Sequence, residues 1–244
     1  MSEGERFEFK FLITAAQRDE ICGAFNGALR PDTLGGSSGV YPIVSLYYDT
    51  PDRRCYWEAW RGLPSRRKLR IRVYGTADGG VAPTSFVEVK HKLDGLGVKR
   101  RLHTSLPHAL EIGHGRGETG AFPPADARVV REVHRMVNVE IFRPACIIRY
   151  RRHACALHLE DAAEPLRITF DDQLGARFRD LEPAPDDRRC DLPLLPDDHL
   201  VMELKGFGAV PASVARLLAK SRLSPRSFSK YCAAIRLSGA SSPP

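Results

Sequence analysis

Lys68-Leu69-Arg70-Ile71-Arg72-Val73-Tyr74 is the stretch that decides the fold. Successive side chains of a β-strand point to opposite faces, so the run puts Lys68, Arg70 and Arg72 on one side and Leu69, Ile71 and Val73 on the other. The polar face of an ordinary half-exposed strand mixes Thr, Ser, Gln, Glu and Lys. Here it is purely cationic.

The same alternation recurs along the chain. In Arg6–Phe11, Arg6, Glu8 and Lys10 oppose Phe7, Phe9 and Phe11; in Ser85–Lys92, Glu88, Lys90 and Lys92 oppose Val87, Val89 and His91. In Leu166–Asp171, Arg167, Thr169 and Asp171 oppose Leu166, Ile168 and Phe170, and Leu200–Lys205 adds Glu203 and Lys205 against Met202 and Leu204. Ala145–Arg152 is less regular, and Ile43–Tyr48 and Val98–His103 complete the set of strands. The polar faces thus gather Arg6, Lys10, Lys68, Arg70, Arg72, Lys90, Lys92, Arg152, Arg167 and Lys205 against Glu8, Glu88, Asp171 and Glu203. Like charges on neighbouring strands are destabilising, so a shared face of this kind calls for an anionic ligand. A solvated face of an open sheet is the competing reading. Closure of the sheet would put the charges inside and the apolar faces under amphipathic helices, for which Ala15–Leu29, Ala127–Val137, Pro211–Ala219 and Ser227–Leu237 have the period.

The expected fold is therefore α+β, a closed antiparallel eight-stranded barrel with helices packed on the outside. Residues 1–237 are expected to form one domain, followed by a disordered tail at 238–244. Pro31–Gly39, Glu111–Ala127 and Asp180–Asp198 read as irregular.

The chain has 244 residues, 43% of them hydrophobic, and carries 37 Lys plus Arg against 30 Asp plus Glu, a net charge of +7 that favours an anionic partner. Its six cysteines show no C-x-x-C pair or zinc-type spacing with the eight histidines, which fits reduced thiols and a cytoplasmic protein. No apolar run approaches the roughly 18–20 residues that span a bilayer. Interleaved exposed aromatics and nucleic-acid reading motifs are absent, so no nucleic-acid partner is expected.

These motifs resemble the VTC polyphosphate polymerase domain, a branch of the triphosphate tunnel metalloenzyme superfamily related to the CYTH proteins. The carriers are Arg6-Phe7-Glu8-Phe9-Lys10, Tyr47-Tyr48-Asp49-Thr50, Lys68–Tyr74, Glu88-Val89-Lys90 with Lys99-Arg100-Arg101, Tyr150-Arg151-Arg152, Arg167–Asp171, Glu203-Leu204-Lys205 and Ser229-Lys230-Tyr231, in family order. The resemblance implies a tunnel that binds ATP and a polyphosphate or triphosphate chain with Mn2+ or Mg2+, and passes the terminal phosphoryl group of ATP to the growing chain. It implies Lys68, Arg70, Arg72, Lys90, Arg152, Arg167 and Lys230 as catalytic phosphate ligands. Arg6, Lys10, Lys92 and Lys205 would be further phosphate-binding groups and Glu203 the metal carboxylate. Glu8 and Glu88 either join the metal site or pair with neighbouring bases. Tyr47 and Tyr48 are read as core aromatics, and the histidines as surface or loop residues. Arg6 stands where the wider superfamily has a first-strand Glu, which favours the polymerase branch. The alternatives are an inorganic or nucleoside triphosphatase, and a non-catalytic regulatory subunit that binds polyphosphate or inositol phosphates. Membrane association, if any, would be peripheral and run through a membrane protein partner.

Overall fold

The computed structural model describes residues 6–75, 84–94, 96–117 and 122–239. The end of the expected tail, 240–244, lies outside them. The chain runs β1 (Arg6–Thr14), α1 (Ala15–Ala24), β2 (Leu29–Pro31), β3 (Val40–Asp49), α2 (Arg54–Trp60), β4 (Ser65–Tyr74), β5 (Thr84–Leu93), β6 (Leu96–Thr104), α3 (Leu106–Gly113) and α4 (Pro124–Asn138). It continues through β7 (Arg143–Leu157), β8 (Leu166–Arg177), β9 (Leu192–Pro193), β10 (His199–Phe207), α5 (Ala212–Lys220) and α6 (Lys230–Leu237). No helix among the described residues is long and apolar enough to cross a membrane.

Every strand belongs to one antiparallel sheet, with the order β1-β10-β8-β7-β3-β4-β5-β6; β2 pairs with β7 and β9 with β8 off this path. The register carries the alternation from strand to strand. Arg72 lies opposite Ser45 and Phe86, Arg70 opposite Tyr47 and Glu88, Arg152 opposite Asp171, and Lys10 opposite Glu203. One continuous face therefore collects the charged positions.

The other face is apolar and covered by helices. Leu69, Ile71, Val87 and Val89 are buried with Ala109 and Ile112 of α3 and Val130, Val133 and Met136 of α4. Phe11, Ile168, Met202 and Leu204 are buried with Ile21 of α1 and Val214 of α5, and Phe7 and Phe9 pack against this second cluster. At about 25 cal/mol per Å2 of apolar surface removed from water, these two clusters hold the helices against the sheet. Local signals set the helix ends. Thr14 and Gln17 form a capping box at the start of α1, and Gly27 at φ +84° lies beyond its end, which is why α1 stops short of Leu29. Ser105 caps α3, so Glu111–Gly113 is helical rather than irregular.

The sheet is a curled half-barrel, and the expected closure into a barrel is not observed. Among the described residues no ladder joins β1 to β6. Two features mark the free edges. The outer edge of β1 is taken by the segment before α6, where Arg226 N donates to Lys10 O at 2.7 Å. Along β6, residues 96–101 are exposed and include Lys99, Arg100 and Arg101, cations of the kind that protect a free edge from pairing. The curl still brings the two arms together, since the Lys90 ammonium on β5 interacts electrostatically with Glu8 and Lys10 on β1 and with Lys205 on β10.

Candidate functional site

Residues 226–231 cross the concavity. Lys10 Nζ reaches Phe228 O at 3.5 Å, Lys68 Nζ donates to Ser229 Oγ at 2.9 Å, Lys230 Nζ donates to Asp171 Oδ2 at 2.6 Å, and the Tyr231 ring stacks on Tyr47 at 5.4 Å. Tyr231 Oη also donates to Asp49 Oδ2 at 2.5 Å, and Asp49 accepts Cys55 N and Tyr56 N at the start of α2. One buried carboxylate thus positions α2 and α6, and through α6 the Lys230 ammonium.

Around Lys230 the charges alternate. Arg152 grips Asp171 through two bonds of 2.6 and 2.7 Å, while Glu203 lies 4.0 Å from Lys230, 2.9 Å from Lys205 and 3.7 Å from Lys10. Glu8 bridges the same two lysines at 3.4 Å to Lys10 and 3.7 Å to Lys205. Burial alone would raise the Glu203 and Asp171 carboxyls. Lys230, Lys205, Lys10 and Arg152 around Glu203, and Lys230 and Arg152 on Asp171, outweigh it and hold both below the usual carboxylate range. Burial likewise opposes the charge on Lys230, and Asp171 overrides it, so its pKa is raised.

A second cluster lies on β4, β5 and β6. Glu88 is buried against Arg70 at 2.6 Å, Arg72 at 3.9 Å and Lys99; burial raises its carboxyl, but these three cations push it far down. Arg70 also donates to Tyr47 Oη at 3.0 Å. The Tyr47 phenol, raised by burial, ends lower than usual because Arg70 and Arg72 face it.

The sequence-based candidates are therefore brought onto one face, with distinctions among them. Lys68, Arg70, Arg72, Lys90, Arg152, Lys230, Lys10, Lys205, Glu8 and Glu203 face the concavity. Arg6 and Lys92 are exposed near the ends of their strands. Arg167 is drawn to the rim by Asp32 and donates to Tyr41 Oη at 3.4 Å. Glu88 sits among cations, apart from the Glu8, Glu203 and Asp171 group. Lys90 makes no ion pair within 4 Å among the described residues. It is solvent-accessible on the concave wall, yet partial desolvation, Lys10, Arg70 and Lys205 lower its pKa against the pull of Glu8.

Several residues on this face escape the sequence reading. Tyr47 and Tyr48 are both buried in the core, as expected, but Tyr47 also lies opposite Arg70 on the charged face, whereas the Tyr48 hydroxyl packs against Gly113. Tyr150, buried on the inner face, lies under Lys230 at 4.6 Å and Arg152 at 5.4 Å, and its hydroxyl has no hydrogen-bond partner among the described residues. Lys99, Arg101 and His103 also line the face; His103 is exposed, as expected, but on the concave side.

A divalent metal needs oxygen ligands, and no group of three or more candidate ligands occurs among the described residues. Glu203 and Glu8 share two lysines and could supply one or two carboxylates. That donor set fits an ion that arrives with phosphate, since Mg2+ is commonly held by one or two carboxylates, water and substrate oxygens.

The family model described as "VTC domain" matches residues 5–238. Among solved structures, the chain is similar to a putative adenylate cyclase from Vibrio parahaemolyticus, at 11% identity and a TM-score of 0.44, over 93% of this chain and 96% of that one. No curated protein matches it by sequence.

Proposed function

The chain belongs to the VTC domain family, and from that membership we propose that it is a metal-dependent polyphosphate polymerase that uses ATP. The observation that carries this reading is the gathering of Lys10, Lys68, Arg70, Arg72, Lys90, Arg152, Lys205 and Lys230 on one concave face, where Lys90 is exposed and makes no ion pair within 4 Å among the described residues. A site that holds a cation against its neighbours' repulsion gains most from a polyanion, and a phosphate chain can touch many such groups at once.

The acceptor chain's terminal phosphate oxygen attacks the γ-phosphorus of ATP. The bond from that phosphorus to the β,γ-bridging oxygen breaks, and its electron pair leaves with ADP. Arg70, Arg72 and Arg152 present planar donor forks and Lys68, Lys90 and Lys230 point charges to the phosphate oxygens, which suits a reaction that needs mostly positioning and charge stabilisation. Asp171 holds Arg152 and Lys230 in place, and Tyr47 holds Arg70. Tyr150 Oη and Thr169 Oγ1, both buried without a hydrogen-bond partner among the described residues, offer two further donors. Mn2+ or Mg2+ held by Glu203 and Glu8 would neutralise charge on the phosphates. In this reading the curled sheet acts as the tunnel around the chain.

The test is incubation of the purified protein with ATP and Mn2+, with products resolved by chain length. Polymer with stoichiometric ADP is expected. Release of orthophosphate with no chain growth would replace the polymerase by a triphosphatase, and no turnover with tight triphosphate binding would leave a binding subunit.

A further inference from the structure

Along β4 the inward positions change character. Arg70 and Arg72 are followed by Tyr74, and at the same level the directly paired neighbours of Arg72 are Phe86 on β5 and, beyond it, His103 on β6. The concave face therefore switches from cations to aromatic rings along one line crossing three strands. The rings are in contact: Phe86 and His103 lie 5.0 Å apart with 34° between their planes, and Tyr74 meets Phe86 edge-on at 5.6 Å. The Arg101 guanidinium lies over Phe86 at 4.5 Å. His103 and Arg101 are exposed, while Phe86 and Tyr74 are half-buried.

Cross-strand aromatic pairs also stabilise sheets. That role would not require the exposed partners to face the concavity, level with Arg72 and beside the phosphate-facing arginines. Successive inward positions on a strand are about 6.8 Å apart, so the ledge begins within one nucleoside's reach of Arg72. Arg72 also donates to Tyr74 Oη at 3.5 Å, tying the first ring to the last arginine. Planar rings and a guanidinium are the surfaces on which nucleobases stack.

We propose that the Phe86–His103 ledge, with Arg101 and Tyr74, binds the nucleobase of the phosphoryl donor, so that this mouth of the concavity takes a nucleoside triphosphate while a bare phosphate chain gains nothing there. The inference rests on the proposed function, because it takes the phosphates to lie along Arg70 and Arg72. It assigns the donor end of the site: the base sits at the β4–β6 mouth, and the growing chain extends away from it towards Lys90 and Lys205.

The experiment is calorimetric titration of ATP and of inorganic triphosphate into wild type, His103→Ala and Phe86→Leu, with the melting temperature of each unliganded protein as a folding control. His103 is exposed, and leucine keeps the apolar volume at position 86 without its planar face. Loss of one base–ring stack should raise the Kd for ATP roughly tenfold in each variant. The Kd for triphosphate should stay within about twofold of wild type. Parallel weakening of both ligands, or an unchanged Kd for ATP, overturns the ledge while leaving the phosphate site standing. Failure of wild type to bind either ligand overturns the phosphate site and the ledge with it.

Discussion

The Lys230 ammonium donates to Asp171 Oδ2 at 2.6 Å, joining residues 59 positions apart at the start of α6 and on the inner face of β8. Asp171 is fully buried and also accepts both bonds from Arg152, so one carboxylate organises two of the proposed phosphate ligands.

Replacing Asp171 with Asn keeps the shape and removes the charge. Arg152 and Lys230 are then left buried with only Glu203 nearby to offset them, and removing one partner of a buried pair costs about 3–5 kcal/mol. The urea midpoint of the unliganded protein should fall accordingly and recover in part with triphosphate. An unchanged midpoint would show that solvent, not Asp171, compensates these cations.

The buried carboxylates fix a pH dependence. Asp171, Glu203 and Glu88 are all held below their ordinary range by neighbouring cations. Their stabilising contribution is fully present above the unfolded values, about pH 4, and is lost as pH falls through the lower folded values. Denaturation midpoints should be flat from about pH 7 to 5 and decline below about pH 4. Lys230, shifted up, contributes below its unfolded value and loses its share only at strongly alkaline pH. A midpoint that stays constant down to about pH 3 would mean these groups do not carry their charge into the fold.

Glu203→Gln removes the carboxylate that lies 2.9 Å from Lys205 and 4.0 Å from Lys230 with little change of volume. If Glu203 holds the metal, turnover at saturating Mn2+ should drop about a hundredfold or more, a typical loss for an electrostatic group acting on the transition state. Wild-type turnover in this variant would remove Glu203 from the metal site.

Much of this was legible in the sequence, for a definite reason. A strand with one face against helices and the other against a polyanion must alternate, so Lys68–Tyr74 or Leu166–Asp171 declares its faces without a partner. Tyr47 and Tyr48 do not. Both are aromatic and adjacent, and only the register with Arg70 puts Tyr47 inside. Lys99, Arg100 and Arg101 are consecutive cations, so neither face stands out until β6 is paired with β5. The helix α2 spans 7 residues and α3 spans 8, two turns each, too short for a hydrophobic period to register. Closure was the largest misreading, because it depends on the segment before α6 occupying the edge of β1, a contact between residues 216 positions apart (226 − 10).

Tyr231→Phe tests whether α6 is a positioning device. The variant keeps the ring stacked on Tyr47 and removes the donor to Asp49. A buried acceptor left short of a partner costs about 1–3 kcal/mol. Stability should fall by that order, and kcat should fall with it at saturating ATP because Lys230 is carried on the same turn. Phosphate affinity through Arg70 and Arg72 should change little, so KM should hold. A raised KM with an unchanged kcat would argue that α6 serves binding alone.

The sharpest contrast is between Lys90 and the arginine pair. Both face the concavity, but Arg70 and Arg72 neutralise buried Glu88, whereas Lys90 makes no ion pair within 4 Å among the described residues and feels Glu8 at longer range against the repulsion of Lys10, Arg70 and Lys205. Lys90→Gln should leave the unliganded melting temperature unchanged or slightly raised, since it relieves repulsion. Replacing Arg70 and Arg72 together by Ala should lower it on the order of 10 °C, because Glu88 keeps only Lys99 and a broken buried pair costs about 3–5 kcal/mol. Triphosphate at a hundredfold excess over its Kd should stabilise wild type by about 2.7 kcal/mol, a rise of about 5–10 °C for a chain of this size. The rise should shrink in both variants at equal ligand concentration, and shrink further in high salt as screening weakens the attraction. A large destabilisation by Lys90→Gln would mean that this ammonium is a structural partner of Glu8. The lowered pKa would then report burial alone, and the case for a phosphate chain along that wall would fall with it.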